Sequence, residues 1–360
     1  MFAVRGFGSD LTTLHWQGSL SEYVTALDWW GNGLGIASAA GEVALWQGAG
    51  SLQILQGSSG KTVNGLEFSS DGKYLATGGE GEIRLWRMGK EPQLLDHLPL
   101  KCWVEHLAWH PTRPWLAFTV GKVVQVWDAA QREMLASLPF DNSSVLGLTW
   151  HPDGQQLTAS GYQGIKVWDV KDWDEDPISI EIPSASLAIA WSPDGRYLAS
   201  GNLDRTVTLM EWANPHPWGM RGFPGKVRQL AWSDPMSQDP LLVAVTGEAL
   251  VVWEKDPQPT NPLQINWSPT PLEAHTDTVQ TAAFQPGSRV LASGSADGSL
   301  CIWDSQHQLG QWIEDFEQGI PCLSWDPKGQ WLAVGGEKGG IRVLAMKKPG
   351  SQGGGRGFGR

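Results

Sequence analysis

Cysteine is scarce in this chain, and its spacing limits the chemistry available. Only three cysteines occur in 360 residues, at Cys102, Cys301 and Cys322. An odd number without a Cys-x-x-Cys pair matches neither a disulfide framework nor a zinc or redox motif. The sequence therefore predicts reduced thiols and a cytoplasmic protein.

Charge is also low, and its sign is wrong for nucleic acid. Asp, Glu, Lys and Arg make up 18% of the chain, and the formal net charge is −12. Because an acidic protein repels phosphate backbones and anionic lipid surfaces, we do not expect nucleic acid as the main partner. No run of 18 apolar residues is present, and the first residues show no basic segment followed by an apolar one. Neither a membrane span nor a secretion signal is therefore expected.

Sequence signatures of catalysis are missing as well. The chain contains no Gly-x-Ser-x-Gly, no phosphate-binding Gly-x-x-x-x-Gly-Lys-Ser/Thr and no His-Glu-x-x-His. The eight histidines are scattered, and His110 and His151, which follow tryptophans in equivalent positions, are predicted to cap turns. We predict that the protein is not an enzyme and that it has no cofactor and no metal site.

The chain is rich in tryptophan, glycine and proline, and it repeats. It has 22 Trp, 44 Gly and 23 Pro. The pattern Val-x-x-Leu-x-Trp, with substitutions, recurs at intervals of 39, 41, 41, 41, 41, 52 and 41 residues. A fixed period of this length indicates units that each bury their faces against their neighbours. The copies begin at Val24, Val63, Val104, Val145, Ser186, Val227, Val279 and Ile320.

Each copy has the pattern of four short strands. A turn such as Ser192–Gly195 follows the first segment, and then come a strand of small residues and a third strand that ends in an aromatic residue. A weaker strand such as Met134–Leu138 precedes the next copy. Strands spaced by about ten residues with Gly and Asp turns are typical of an antiparallel meander. The sequence therefore predicts an all-β fold.

These repeats resemble the WD40 family of β-propellers over residues 11–346. The Trp-Asp dipeptide that gives the family its name stands at Trp127-Asp128, Trp168-Asp169 and Trp303-Asp304. The resemblance implies a closed ring of blades, each a four-stranded antiparallel sheet. It also implies a structural hydrogen-bond set within a blade, which is best matched here by His275, Ser293, Asp297 and Trp303. Because the other sets are incomplete, we expect apolar stacking to hold most blades together.

Eight first strands imply eight blades, although seven blades with one degenerate unit stay open at this point. Residues Leu11–Trp16 precede Val24 by the distance that separates other fourth strands from the next repeat. We predict that this N-terminal strand completes the last blade, whose other strands come from about residues 318–345. Residues 1–10 are then an N-terminal extension, and residues 347–360 are a disordered Gly/Arg tail.

Two segments interrupt the repeat. The 52-residue interval places an insertion at residues 254–274, whose prolines predict a protruding loop with Trp267 as a candidate anchor for a partner. The segment Trp212–Pro224 is too irregular for a clean outer strand, and Trp218 in it is a second candidate contact. The Gly/Arg tail is compatible with RNA contact through charge and stacking, but the net charge of the whole chain disfavours that alternative.

The function that these features favour is a non-catalytic protein–protein interaction scaffold. The resemblance implies that proteins or peptides dock on the propeller rim, at the loops before first strands and the turns between second and third strands. Two alternatives stay open: a ligand or enzymatic site in the central channel, which mainly apolar and small first-strand residues disfavour, and a factor that assists metal or cofactor assembly. The chain alone is expected to be monomeric. The bulky or charged candidate contacts at the rim are Tyr23, Lys61, Trp103, Arg205, Lys226, Asp277 and Lys338.

Overall fold

The computed structural model of the chain describes residues 3–5, 11–140, 143–162, 164–212, 214, 217–236, 238–256, 267–314 and 316–347. The predicted Gly/Arg tail, apart from Lys347, and residues 257–266 of the predicted insertion lie outside these ranges. None of the described residues is helical. It follows that no helix among them is long and apolar enough to cross a membrane.

The described residues form 32 strands in chain order. Two of them precede the repeats, β1 (Ala3–Arg5) and β2 (Thr12–Ser19). Blade 1 contains β3 (Val24–Trp30), β4 (Gly33–Ser38), β5 (Val43–Trp46) and β6 (Gln53–Gln56), and blade 2 contains β7 (Val63–Phe68), β8 (Tyr74–Arg87) and β9 (Gln93–Trp103). Blade 3 contains β10 (Leu107–Trp109), β11 (Trp115–Val120), β12 (Val123–Asp128) and β13 (Glu133–Pro139). Blade 4 contains β14 (Val145–Trp150), β15 (Gln156–Gly161), β16 (Gly164–Asp169) and β17 (Ile178–Glu181). Blade 5 contains β18 (Ser186–Trp191), β19 (Tyr197–Asn202), β20 (Val207–Glu211) and β21 (Trp218–Met220), and blade 6 contains β22 (Val227–Trp232), β23 (Leu242–Thr246), β24 (Ala249–Lys255) and β25 (Trp267–Leu272). Blade 7 contains β26 (Val279–Phe284), β27 (Leu291–Ser295), β28 (Ser299–Trp303) and β29 (Leu309–Glu314). Blade 8 contains β30 (Cys322–Trp325), β31 (Trp331–Gly335) and β32 (Gly340–Met346).

The sheet topology confirms an eight-bladed antiparallel propeller and excludes the seven-bladed alternative. Within each repeat the strands pair in chain order, from the first strand at the centre outward, and β1 and β2 are added at the outer edges of blades 7 and 8. Blade 2 has three continuous strands because the two halves of β8 pair with β7 and β9 respectively. The two halves of β8 also contact each other, since Thr77 Oγ1 in the first half donates to Arg84 O in the second at 3.5 Å. β8 therefore supplies both the second and the third strand of blade 2.

The turns between first and second strands show why glycine recurs there. Gly72, Gly154, Gly195 and Gly329 have φ angles of 66°, 73°, 71° and 63°. A residue with a Cβ is strained in this left-handed region, whereas glycine adopts it freely. The Asp-Gly and Lys-Gly turns seen in the sequence therefore reverse the chain at equivalent places in four blades.

The ring closes as predicted, through the N-terminal strand. β2 pairs antiparallel with β32 and completes blade 8, with Leu14 opposite Leu344. Trp16 of β2 reaches across to blade 1, where its ring stacks on Trp46 with centroids 5.0 Å apart. Strand pairing and aromatic packing thus join the two ends of the repeat array.

A recurring hydrogen bond ties neighbouring blades together at the centre. In five blades the tryptophan near the end of the first strand donates its indole N–H to a backbone carbonyl in the first strand of the preceding blade, whereas Trp191 of blade 5 donates to Thr158 Oγ1 at 3.0 Å. The same bond crosses the ring closure, from Trp29 Nε1 of blade 1 to Ser324 O of blade 8 at 3.0 Å. The other members are Trp109 to Glu67 O, Trp150 to Ala108 O, Trp232 to Ala190 O and Trp325 to Ala283 O, at 2.8, 2.9, 3.2 and 3.1 Å.

Two first strands end in phenylalanine, which cannot donate such a bond. In blade 2, Phe68 N instead donates to Asp28 Oδ2 of blade 1 at 2.7 Å. In blade 7, Ala282 N donates to Gln229 Oε1 of blade 6 at 2.9 Å, and Gln229 Nε2 donates back to Ala282 O at 3.2 Å. In these two blades a polar side chain of the preceding blade therefore makes the hydrogen bond between first strands.

His110 caps its turn, as predicted, and also links two blades. His110 Nδ1 accepts from Thr112 N and Arg113 N at 3.1 and 3.0 Å. Because Nδ1 accepts, Nε2 carries the proton and donates to Gly154 O of the next blade at 2.9 Å. His151 repeats the inter-blade contact, with Nε2 3.1 Å from Gly195 O.

Two predictions about the irregular segments were wrong. Residues 254–274 do not form a loop throughout, because β24 continues to Lys255 and β25 pairs with it from Trp267 onward. The prolines of β25 are accommodated because it is an edge strand, where a residue without an N–H costs no inner ladder bond. The segment Trp212–Pro224 does supply an outer strand, the short β21, which pairs with β20.

Candidate interaction surface

The topology collects two kinds of connection at one end of the ring, here called the upper face. First and third strands run away from this face, and second and fourth strands return to it, because the blades are antiparallel meanders. The loops before first strands and the turns between second and third strands therefore lie together. Backbone hydrogen bonds join them, such as Glu80 N to Thr62 O and Leu203 N to Ala185 O, both at 2.9 Å.

The seven rim residues predicted from the sequence all fall on the upper face, but they are distributed around the ring. They form a circle around the central channel rather than one patch. Trp103 is 45% exposed, whereas Tyr23 is half-buried. Lys338 Nζ lies 3.2 Å from Glu317 Oε2, and Arg205 has a φ of 64° in its turn. The other charged members of the circle, Lys61, Lys226 and Asp277, are exposed.

Trp218 and Trp267 lie elsewhere, on outer strands, and both pack into the core between blades 5 and 6. The ring of Trp267 is edge-on to Tyr197 at 5.4 Å and to Trp232 at 6.1 Å. Its indole nitrogen is buried. These two tryptophans serve the fold in this structure, so we do not include them in the interaction surface.

An open groove on the upper face of blade 4 was not foreseen from the sequence. It has a volume of about 550 Å³ and is lined by Phe140, Tyr162, Lys166, Ile180 and Ile182, among others. Phe140 and Ile182 are buried at its floor, whereas Tyr162 is 52% exposed at its wall. We call these five residues the upper groove. The one available signal was a large side chain at the turn between second and third strands, Tyr162 in this blade and Leu203 at the equivalent position of the next.

Exposed apolar side chains continue along the upper face on both sides of the upper groove. Trp103 lies between blades 2 and 3, and Leu203, which is 41% exposed, lies on the turn of blade 5. Rigid apolar side chains exposed on one face of a folded domain are typical of protein docking sites. The rigid scaffold beneath them consists of the buried strands of blades 3 to 5.

The four residues of the structural hydrogen-bond set meet in blade 7, beneath the upper face. Trp303 Nε1 donates to Ser293 Oγ at 2.9 Å, and Ser293 Oγ lies 2.8 Å from His275 Nε2. On the other side of the ring, His275 Nδ1 is 2.7 Å from Ser299 Oγ, which donates to Asp297 Oδ1 at 2.5 Å. Sequence reasoning missed Ser299, the link between the imidazole and the carboxylate.

The donors and acceptors of this hydrogen-bonded series allow only one order in which each group donates its proton to the next. The indole must donate to Ser293, so the Ser293 hydroxyl donates to Nε2 of a neutral His275, whose Nδ1–H donates to Ser299. Burial lowers the pKa of His275 to about 4. Hydrogen bonds from Ser299 and Thr276 lower the pKa of Asp297 to about 2, against the opposing effect of burial. The chain therefore keeps His275 neutral and Asp297 ionised at neutral pH.

This arrangement contains Ser, His and Asp but lacks the geometry of a hydrolytic triad. A nucleophilic serine must be open to substrate, and the carboxylate must hold the imidazole directly. Ser293 is completely buried, and Asp297 Oδ1 is 3.9 Å from His275 Nδ1. The set fixes the loop before β26 against the turn after β27.

Two first-strand carboxylic acids line the central channel, where the sequence had indicated mainly apolar and small residues, and Glu105 in the loop before β10 lines the same cavity. Asp28 and Glu67 occupy equivalent first-strand positions in blades 1 and 2 and line a cavity of about 400 Å³ together with His106. Burial raises the pKa of Asp28 to about 7. Burial and the nearby Asp28 raise the pKa of Glu67 well above its ordinary value. The other blades carry small residues at this position: Ala108, Thr149, Ala190, Ala231, Ala283 and Ser324.

Comparison with known proteins agrees with the repeat architecture. The family described as "WD domain, G-beta repeat" matches the chain at residues 50–87, 132–169, 183–209, 267–304 and 310–343. Each match begins in an outer strand or in the connection next to it, and each ends in or just after a third strand.

Three curated relatives illustrate how widely this repeat occurs. The chain is 35% identical over 72 residues to the probable cytosolic iron-sulfur protein assembly protein 1 of Kluyveromyces lactis, covering 17% of this chain and 22% of the relative. It is 32% identical over 78 residues to protein groucho of Drosophila melanogaster, covering 22% and 11%. It is 28% identical over 162 residues to protein transport protein sec13 of Aspergillus fumigatus, covering 39% and 51%. The chain therefore spans about half or less of the length of these relatives.

Proposed function

Because this chain belongs to the WD40 family of β-propellers, we propose that it is a non-catalytic scaffold that binds other proteins through its upper face. The observation that carries the proposal is the upper groove, together with Trp103 and Leu203, which are exposed on the same face. Aromatic side chains held on a rigid body lose little conformational entropy on binding, which makes them effective anchors.

The relatives support a binding role without selecting a partner. The names of two of them refer to different tasks, iron-sulfur protein assembly and protein transport. A shared repeat in proteins with different tasks supports a common scaffold whose loops determine the partner. The first of these names also supports the alternative of a factor that assists metal or cofactor assembly, which metal analysis of captured complexes would detect.

We further propose that the protein works in the cytosol and is monomeric when alone. Its three cysteines are free thiols, and burial raises the pKa of Cys322 to about 12. A thiol that stays protonated is inert toward disulfide exchange. Size-exclusion chromatography with light scattering measures the oligomeric state directly.

The test is affinity capture from a cytosolic extract of the native host, with mass spectrometry. The upper-face variant combines Trp103→Ala and Tyr162→Ala, and a matched lower-face control combines Trp30→Ala and Met236→Ala. The four side chains are 45%, 52%, 47% and 60% exposed. Thermal melts verify that all variants fold.

We expect the upper-face variant to lose partner binding by about tenfold or more, since truncating an anchor residue costs about 2 kcal/mol. The control is expected to retain the same partners. Loss of binding in the control alone would refute the assignment of the face. Turnover of a substrate by the purified protein would refute the non-catalytic reading.

A further inference from the structure

Blade 7 differs from the other described blades because it carries a fifth strand at its outer edge. β1 pairs antiparallel with β29, with Ala3 opposite Glu314, Val4 opposite Ile313 and Arg5 opposite Trp312. The backbone of β29 thus accepts an added strand from a distant part of the chain. Edge strands present unpaired N–H and C=O groups, which favour this kind of addition.

Leu11 holds the chain at the point from which residues 3–5 reach this edge. Leu11 N donates to Gln311 Oε1 of β29 at 2.8 Å, and Leu11 O accepts from Lys347 N at 2.8 Å. Thr12 N and Thr12 Oγ1 also donate to Gln311 Oε1, at 2.9 and 3.2 Å. Gln311 is only 3% exposed, so this crossing from blade 8 to blade 7 is a built feature.

Close packing supports the same crossing. A Cβ added to Gly310 would lie 2.7 Å from Leu11 Cδ1. Glycine at this position therefore lets the crossing chain approach β29. The hydrogen bonds and this approach together fix where the N-terminal segment meets blade 7.

β1 itself is a weak occupant of the edge. It makes three residue pairs, whereas β29 has six residues. A strand held by only three residue pairs opens at low free-energy cost. It stays in place because five residues tether it to Leu11, which gives a local concentration on the order of millimolar. A longer strand that covers more of β29 is able to compete with it.

We propose that the outer edge of β29 is a strand-docking site for an extended segment of a partner protein, which β1 occupies in the free protein and vacates on binding. The fitting segment is five or six residues long, contains no proline and pairs antiparallel with β29. A basic residue opposite the exposed Glu314 adds a favourable cross-strand pair. By contrast, the equivalent outer strand of blade 6 carries Pro269 and Pro271.

Hydrogen exchange of residues 309–314 tests whether the edge is covered by β1. Full-length protein is compared with a variant that lacks residues 1–8 and keeps Leu11. The backbone amides of β29 that point outward are expected to exchange about tenfold faster in the truncated variant. Equal exchange in the two proteins would overturn the proposal.

A peptide in trans tests whether the edge binds a separate strand. The probe is a labelled synthetic peptide of residues 1–8, MFAVRGFG, measured by fluorescence anisotropy. It is expected to bind the truncated protein and to restore slow exchange, and to bind full-length protein about tenfold more weakly because β1 competes. The absence of binding to the truncated protein would overturn the proposal.

Two control peptides distinguish strand pairing from attraction by charge. The first carries Val4→Pro, which removes an N–H from the strand. The second contains residues 350–360, which share Arg-Gly-Phe-Gly with residues 5–8 but have no counterpart of Ala3 and Val4. Binding of either control as tight as that of the probe would contradict strand docking. Because the probe binds without the upper face, Tyr162→Ala is expected to leave its affinity unchanged, so this proposal and the proposed function fail separately.

Discussion

Removing the hydroxyl of Ser293 is expected to be among the most destabilising single-atom changes in blade 7. Ser293 Oγ accepts from Trp303 Nε1 at 2.9 Å and donates to His275 Nε2 at 2.8 Å. Ser293→Ala therefore leaves two buried polar groups without partners. An unsatisfied buried group costs about 1–3 kcal/mol, so we expect a loss of about 2–5 kcal/mol in the free energy of unfolding.

A comparison between blades isolates the hydrogen-bond contribution. Trp46 occupies the position of Trp303 in blade 1, and its indole nitrogen is buried with no partner among the described residues. Trp→Phe at either position removes similar volume, but only Trp303→Phe breaks a hydrogen bond. We expect Trp303→Phe to cost about 1 kcal/mol more than Trp46→Phe.

The same set of hydrogen bonds in blade 7 predicts how the free energy of unfolding depends on pH. The folded-state pKa of His275 is about 4, below its ordinary value of 6.5. Between these values the unfolded chain binds a proton that the folded protein does not, so this stabilisation is complete above pH 6.5 and is lost as pH falls toward 4. A shift of this size corresponds to about 3 kcal/mol. His275→Gln is expected to flatten the dependence in this window.

Urea titrations followed by far-ultraviolet circular dichroism, at pH 7.5 and 5.0, measure all of these effects. A double-mutant cycle of Ser293→Ala and Trp303→Phe is expected to give a coupling energy of about 1 kcal/mol. A cost below about 0.5 kcal/mol for Ser293→Ala, which is the range of ordinary surface substitutions, would refute the proton order derived for this chain.

Two further predictions concern the channel and the ring closure. Burial raises the pKa of Asp28 from 3.8 to about 7, so the free energy of unfolding decreases as pH rises from about 4 to 7. Asp28→Asn, which keeps an acceptor for Phe68 N, is therefore expected to stabilise the protein by on the order of 2 kcal/mol at pH 8 and not at pH 4. Equal urea midpoints of the two proteins at pH 8 would contradict this prediction. Gly18→Ala is expected to lower the melting temperature because its Cβ would lie 2.3 Å from the ring of Trp16, at a cost of about 1–3 kcal/mol, whereas Gly57→Ala, with open space around its Cβ, is expected to have little effect; a calorimetric scan compares the two.

The sequence predicted the β-propeller because each blade is built from residues that are close together in the chain. The 41-residue spacing, the Asp-Gly turns and the aromatic residue that ends most third strands all repeat within one unit. Leu11–Trp16 was assigned to blade 8 from its spacing alone, and β2 pairs there with β32. Repeat period and turn chemistry are local properties, so a single sequence reveals them.

The errors came from segments whose environment is set by other blades. The residues next to Trp267 in the sequence are typical of a loop. In the structure, however, Trp267 packs between Tyr197 and Trp232, which precede it by 70 and 35 residues. The prolines of β25 suggested a loop because edge position is not visible in one strand. The sheet order shows that β25 pairs only with β24 and is an edge strand, which tolerates residues without an N–H.

The sequence by itself determined the repeat period, the strand order within a blade and the strand that closes the ring, and it favoured eight blades over seven. Only the tertiary structure decided what lies between blades: the indole bonds that link residues about 42 positions apart, the burial that raises the pKa of Asp28 and Glu67, the upper groove, and the placement of β1 on blade 7. The physical reason is that hydrophobic period and turn preference act over a few residues, whereas desolvation and packing depend on which distant side chains the closed ring brings into contact.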